Sequence, residues 1–152
     1  MKVKVKVPAT SANLGPGFDV AGLALTLYNT FTFELNEGGL NITGCPTQFC
    51  NEENLTYRAF SQAAQSCGLD FKGVNIHCES QVPYTRGLGS SSTCIVAGIV
   101  GAFAFKDKTD ARQEILELAT KIEGHPDNVA PAIFGGLTVS VNPPKIAGAT
   151  LS

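Results

Sequence analysis

The sequence lacks the features that would assign it to several common classes. No apolar run approaches the roughly 20 residues needed to cross a bilayer. There is no basic excess: 11 Lys and Arg stand against 13 Asp and Glu, for a formal net charge of -2. That removes the electrostatic footprint expected of a nucleic-acid binder. There is no internal repeat and no low-complexity segment. The N-terminus, Met1 to Val7, alternates lysine with valine, which is a strand pattern and not a signal peptide. The cysteines (Cys45, Cys50, Cys67, Cys78 and Cys94) are odd in number, and none falls in a C-x-x-C pair. Neither a zinc site nor a disulfide framework is expected. They read as buried free thiols of a reducing, cytoplasmic compartment.

What remains is a chain of 152 residues, with 43% hydrophobic and 16% charged residues, long enough for one domain with a real core. Its most informative stretch is Pro83-Tyr84-Thr85-Arg86-Gly87-Leu88-Gly89-Ser90-Ser91-Ser92. Two glycines and three serines separate a β-rich run from a long apolar helix pattern. Glycine lets backbone approach a ligand closely. A helix N-terminus adds unpaired N–H groups and partial positive charge. Together they suit a phosphate. No lysine follows Gly89, so this is not a P-loop, and Ser92 replaces the third glycine of a dinucleotide fingerprint. Read alone, the loop is equally a turn followed by a helix cap.

Periodicity places strands at Lys2 to Val7, Val20 to Leu27, Tyr28 to Leu35, Leu40 to Thr43, Val74 to Glu79 and Leu137 to Val141. Helices are expected over Asn54 to Cys67, Ser90 to Phe105, Asp110 to Glu123 and Pro126 to Phe134. Asp110 with Gln113 resembles a capping box, and Ile115, Leu118, Ala119 and Ile122 are the expected buried face of the third helix. Hairpin-like strands with helices between them indicate an α+β fold, a mixed or antiparallel sheet packed against helices.

Two further loops carry polar residues. Pro8 to Asp19 holds Asn13 and Asp19, which read either as turn formers or as a clamp for a ligand bearing an amine and a hydroxyl. Glu117 to Asn128 holds a mid-helix glutamate, then His125, Asp127 and Asn128 behind Gly124. That cluster reads as a turn with a cap or as a recognition corner.

Taken together, three blocks resemble the GHMP kinases, and within them the homoserine kinase branch. They are Ala9-Thr-Ser-Ala-Asn-Leu-Gly-Pro-Gly-Phe-Asp19, Pro83 through Ser92, and Gly124-His-Pro-Asp-Asn-Val-Ala-Pro-Ala-Ile-Phe-Gly-Gly136. The resemblance implies a ribosomal protein S5 domain 2-like fold, with residues 1–152 forming one N-terminal, ATP-binding domain. It implies ATP-dependent phosphorylation of L-homoserine in threonine biosynthesis. The loop from Pro83 to Ser92 would wrap the ATP phosphates. Ser91 and Glu117 would hold Mg²⁺, with Glu123 ranked second to Glu117. Asn13, Asp19, His125 and Asn128 would hold homoserine, Asp19 pairing with its ammonium. Asn13, His125 and Asn128 would keep the reacting hydroxyl in line, and Asp127 would be structural, not a base. Tyr57 and Arg58 are expected to pack and not to bind the nucleotide base. The family's second, C-terminal domain lies outside this sequence. The face meeting it is expected to be apolar and to draw in either that domain or a second copy of the chain.

Overall fold

The alternation of lysine and valine at the N-terminus becomes β1 (Lys2–Ala12) in a computed structural model of the chain. The structure describes residues 1–12, 21–82, 89–124, 129–134, 137–141 and 145–146. Val5, Val7 and Ala9 face the core, while Lys2, Lys4 and Lys6 face solvent. β1 runs five residues beyond the expected strand because both of its halves find a partner. It pairs antiparallel with β2 (Ala21–Asn36), from Lys2 opposite Glu34 to Ala12 opposite Gly22. The register shifts between Pro8 and Thr10, where proline has no N–H to donate.

β2 is one strand of 16 residues, where the composition of the segment suggests two. The change in composition marks a change of neighbour, not a break. Asn29 to Asn36 pair with β4 (Gly73–Ser80), and Ala21 to Leu23 pair with β5 (Leu137–Val141), both antiparallel. β3 (Leu40–Thr43) joins β4 in parallel, and α1 (Leu55–Cys67) makes the crossover between them. The sheet is therefore mixed. β6 (Lys145–Ile146) extends it beyond β5, in a region with no recognisable strand pattern.

α1 begins at Asn54, whose side chain accepts from Tyr57 N–H, and ends at Gly68, in the left-handed region at φ 76°. Gly68 is the stop that the sequence offers. α2 (Ser90–Ala104) is buried along most of its length between α1, the sheet and α3 (Arg112–Glu123). Phe60 of α1 stacks on Phe33 of β2 at 5.4 Å between ring centroids. Gly98 lets α2 approach the α1 backbone, and Gly101 leaves room for the Phe33 ring.

α3 starts later than the capping box implies. Its N-cap is Ala111, which has no side chain to accept a hydrogen bond, and the Asp110 carbonyl accepts from Arg112 N–H. Its fully buried residues are Ile115, Leu116 and Ala119, while Leu118 and Ile122 are only partly buried. The core-facing stripe is thus rotated from the expected one. α4 (Val129–Phe134) follows and packs on α2, α3, β1 and β2. Among the described residues the exposed large hydrophobics are Met1 and Phe49.

Candidate functional site

The site is built on the first turn of α2. Gly89 is its N-cap at φ 71°, a left-handed conformation that other residues adopt at a cost, and no side chain caps the helix. The first bond of the helix runs from Thr93 N–H to the Gly89 carbonyl, 3.0 Å. The N–H groups of Ser90, Ser91 and Ser92 therefore stand in the turn that lacks intrahelical acceptors. Ser90 and Ser92 are buried and Ser91 is exposed. The Ser92 hydroxyl is buried with no hydrogen-bond partner among the described residues. No acidic residue stands within that first turn to complement the dipole in place of a bound anion.

A buried asparagine on the central strand holds this turn in place. Asn29 donates through Nδ2 to Thr93 Oγ1 at 2.9 Å. Its Oδ1 accepts from Gln81 N–H at 2.8 Å and Val82 N–H at 2.9 Å. Thr93 Oγ1 donates in turn to the Ser90 carbonyl, 2.6 Å. One side chain of β2 thus ties the strand side of the glycine-rich segment to its helix side. Nothing in the sequence singles out Asn29, because an isolated asparagine in an apolar strand carries no motif.

The last turn of α3 approaches from the other side. Ser91 Oγ donates to Glu123 Oε1 at 3.4 Å. Glu117, the first choice as partner for Ser91, has a hydrogen bond within its own helix. Its Oε1 accepts from Gln113 Nε2 at 3.3 Å on the exposed face of α3. Six residues separate the two glutamates, about 9 Å along a helix axis and well round its circumference. The structure brings together Ser91 and Glu123. Their hydroxyl and carboxylate are hard oxygen donors of the kind Mg²⁺ takes, usually alongside water and phosphate oxygens. Among the described residues no cluster of three or more His, Cys, Asp or Glu forms a metal cage.

Beside this turn lies a cavity of about 300 Å³ with a mainly apolar lining. Its walls come from β2 (Asn29, Phe31), β4 (Cys78, Glu79, Ser80), the start of α1 (Asn54, Leu55, Thr56) with Phe49 and Glu53 before it, and α2 (Ser90, Ser91, Cys94). Cys45 completes it. Three of the cysteines, Cys45, Cys78 and Cys94, line this one cavity, and only Cys67 is fully buried in the core. Burial pushes the Cys45 thiol up to about 11, helped by its hydrogen bond with Cys50. Burial likewise pushes Cys78 up to about 12 and raises Cys94. No spacing rule reveals this grouping, since the residues come from different elements. Tyr57 and Arg58 do not line the cavity: Tyr57 packs on the core and Arg58 is exposed.

Asn13, Asp19, His125, Asp127 and Asn128 lie outside the described residues, as do Pro83, Tyr84, Thr85, Arg86, Gly87 and Leu88. The neighbouring elements are in place. Ala12 pairs with Gly22, and α4, which starts directly after Asn128, packs against β1 and β2.

Residues 54–136 match the GHMP kinases N terminal domain. A homoserine kinase of Clostridium beijerinckii is 52% identical over 140 residues, which cover 91% of this chain and 47% of that one. The chain thus spans about half the length of the curated relatives it matches. The crystal structure of a homoserine kinase from Cytophaga hutchinsonii superposes with a TM-score of 0.80 at 28% identity, covering 96% of this chain and 51% of that one. The Methanococcus jannaschii mevalonate kinase superposes with a TM-score of 0.77 at 16% identity, over 100% of this chain and 56% of that one, a likeness of fold alone.

Proposed function

The chain belongs to the GHMP kinases, through their N-terminal domain, and from that premise we propose that it forms the nucleotide-binding half of a cytoplasmic homoserine kinase. The reaction is transfer of the γ-phosphoryl group of ATP to the hydroxyl of L-homoserine, a step of threonine biosynthesis. The observation that carries the reading is the convergence of Ser91 with Glu123 at the uncapped start of α2, beside an apolar cavity.

Each part of that convergence has a role. The backbone N–H groups of Ser90 to Ser92 receive phosphate oxygens, and the helix dipole offsets their charge. The Ser92 hydroxyl, buried without a partner, is a further donor for them. The cavity takes the nucleoside, for which an apolar volume of about 300 Å³ is suited. Ser91 and Glu123 would hold Mg²⁺, whose charge would offset the negative charge developing in the transfer. Asp19 binds the homoserine ammonium, and Asn13, His125 and Asn128 orient its hydroxyl. Phosphoryl transfer depends mainly on positioning and charge neutralisation, so no strong base is required.

The test is ADP release by the purified chain with Mg-ATP, with and without L-homoserine. Homoserine-dependent release that Glu123→Ala abolishes and Glu117→Ala spares supports the reading. Release that is lost with Glu117→Ala and kept with Glu123→Ala would overturn the metal assignment. The chain's span of about half its relatives favours one second reading, a nucleotide-binding module whose turnover needs more polypeptide. It is recognised by Mg-ATP binding in calorimetry without ADP release.

A further inference from the structure

The cysteines around the cavity have no role in phosphoryl transfer. One of them, Cys45, touches Cys50, which lies behind the lining: their Sγ atoms are 3.2 Å apart. The segment between them is already folded back on itself. It forms a 3-10 turn at Thr47–Phe49, with Phe49 N–H donating to the Pro46 carbonyl at 2.9 Å and Cys50 N–H to the Thr47 carbonyl at 3.1 Å. Asn54, the cap of α1, holds the segment from outside by donating to the Phe49 carbonyl at 2.9 Å. A disulfide requires sulfurs about 2.05 Å apart, so closure asks for little more than about 1 Å of movement. Neither cysteine is fully buried, whereas Cys67 is. A small oxidant in solvent therefore meets this pair before the core thiol. Cys78 and Cys94 line the same cavity, but among the described residues Cys45 and Cys50 are the two sulfurs in mutual contact.

We propose that Cys45, in the cavity wall, and Cys50 behind it are an oxidation site, which a peroxide converts to an intramolecular disulfide and which a bound nucleotide shields. The shielding rests on the nucleotide reading of the cavity; the disulfide does not. In the reaction, one thiol loses its proton and its sulfur attacks the O–O bond of hydrogen peroxide. An S–OH group forms and hydroxide departs, taking up that proton as water. The second sulfur then attacks the first. The S–S bond forms, and the hydroxyl leaves as a second water with the proton of the second thiol. Two thiols and one peroxide give one disulfide and two waters, and the two electrons pass from sulfur to peroxide oxygen. Cys45 and Phe49 both line the cavity, so a ligand filling it covers this wall.

The chain is treated with hydrogen peroxide, with and without Mg-ATP, and residual thiols are blocked with N-ethylmaleimide. Chymotrypsin cleaves after Phe49, so mass spectrometry without reductant reads the linkage directly. The expected product joins the Cys45 and Cys50 peptides, with Cys67 alkylated. Mg-ATP at ten times its dissociation constant, set by calorimetry, should slow the linkage about tenfold, because only the unoccupied fraction reacts. Linkage of either cysteine to Cys78 or Cys94, linkage between copies, or alkylation of both in peroxide-treated chain would overturn the site. Linkage at an unchanged rate with Mg-ATP demonstrably bound would overturn the shielding. Absence of any Mg-ATP binding would sink the nucleotide reading and leave a detected Cys45–Cys50 bond as support for the oxidation site. Cys45→Ser should remove the linkage and leave Cys50 alkylated.

Discussion

Gly98→Ala sets two effects of opposite sign against each other in the helix that carries the phosphate-binding turn. In an isolated helix the change would stabilise, since alanine is better than glycine by about 1 kcal/mol. At this position the added Cβ collides with the Thr56 carbonyl oxygen and stands 2.8 Å from both Ala59 Cβ and Phe60 N. Two of these three obstacles are backbone atoms of α1, which cannot swing aside as a flexible side chain does. Relief requires the two helices to separate, and both are held elsewhere by the Phe33–Phe60 stack and the core around it. Overpacking of this kind costs about 1–3 kcal/mol and occasionally more, so the clash prevails, for a net loss of up to about 2 kcal/mol. For a domain of this size that corresponds to a fall in Tm of up to roughly 8 °C. Differential scanning calorimetry of the variant and the parent measures it. A raised Tm would refute the reasoning, because it would mean that propensity outweighs packing and that α1 and α2 are not in the contact described. α2 should also shift at its N-terminus, so Mg-ATP affinity should fall together with stability.

Three other perturbations address the site. Asn29→Ala leaves the Gln81 and Val82 N–H groups and the Thr93 hydroxyl without their buried partner. It should cost about 2–4 kcal/mol in urea unfolding and weaken nucleotide binding more than Gly98→Ala at equal stability. Glu123→Gln should raise the Mg²⁺ concentration needed for half-maximal ATP binding, while Glu117→Gln on the exposed face of α3 leaves it unchanged. The thiols give a pH dependence. Burial raises Cys78 from 9.0 to about 12 and Cys45 from 9.0 to about 11, so the unfolded chain ionises first. Their contribution to stability is complete below pH 9 and is lost as pH rises towards 11–12. Urea midpoints measured between pH 8 and 10.5 should fall, and Cys78→Ala should flatten that fall; an unchanged slope in the variant would contradict the burial of Cys78.

Most of the fold was legible because its signals are local. The Lys-Val alternation gives β1, and Asn54 and Gly68 mark the ends of α1 within a residue. The near-continuous apolar run from Ser90 gives a buried α2. The misreadings have a common cause. Val20 to Leu35 looked like two segments because its two halves face different neighbours, β5 and β4, which no local pattern records. Asp110 satisfied a spacing rule for a cap, yet the helix begins at Arg112, after an alanine with nothing to donate or accept through its side chain. The parallel pairing of β3 with β4 depends on α1 crossing between them, a matter of long-range closure.

The same division runs through the site. By itself the sequence determined the chemistry available: a glycine-serine turn opening a helix, a pair of glutamates on the next helix, and three blocks whose order matches the GHMP kinases. Those are properties of neighbouring residues, set by backbone sterics and by the period of an α-helix. Tertiary structure alone decided which glutamate meets Ser91, because that depends on how the end of α3 lies against the start of α2. It also decided that Asn29 bridges Gln81, Val82 and Thr93, that Cys45, Cys78 and Cys94 gather at one cavity, and that Cys50 meets Cys45. Contacts between residues tens of positions apart arise from packing, and packing is a property of the whole chain.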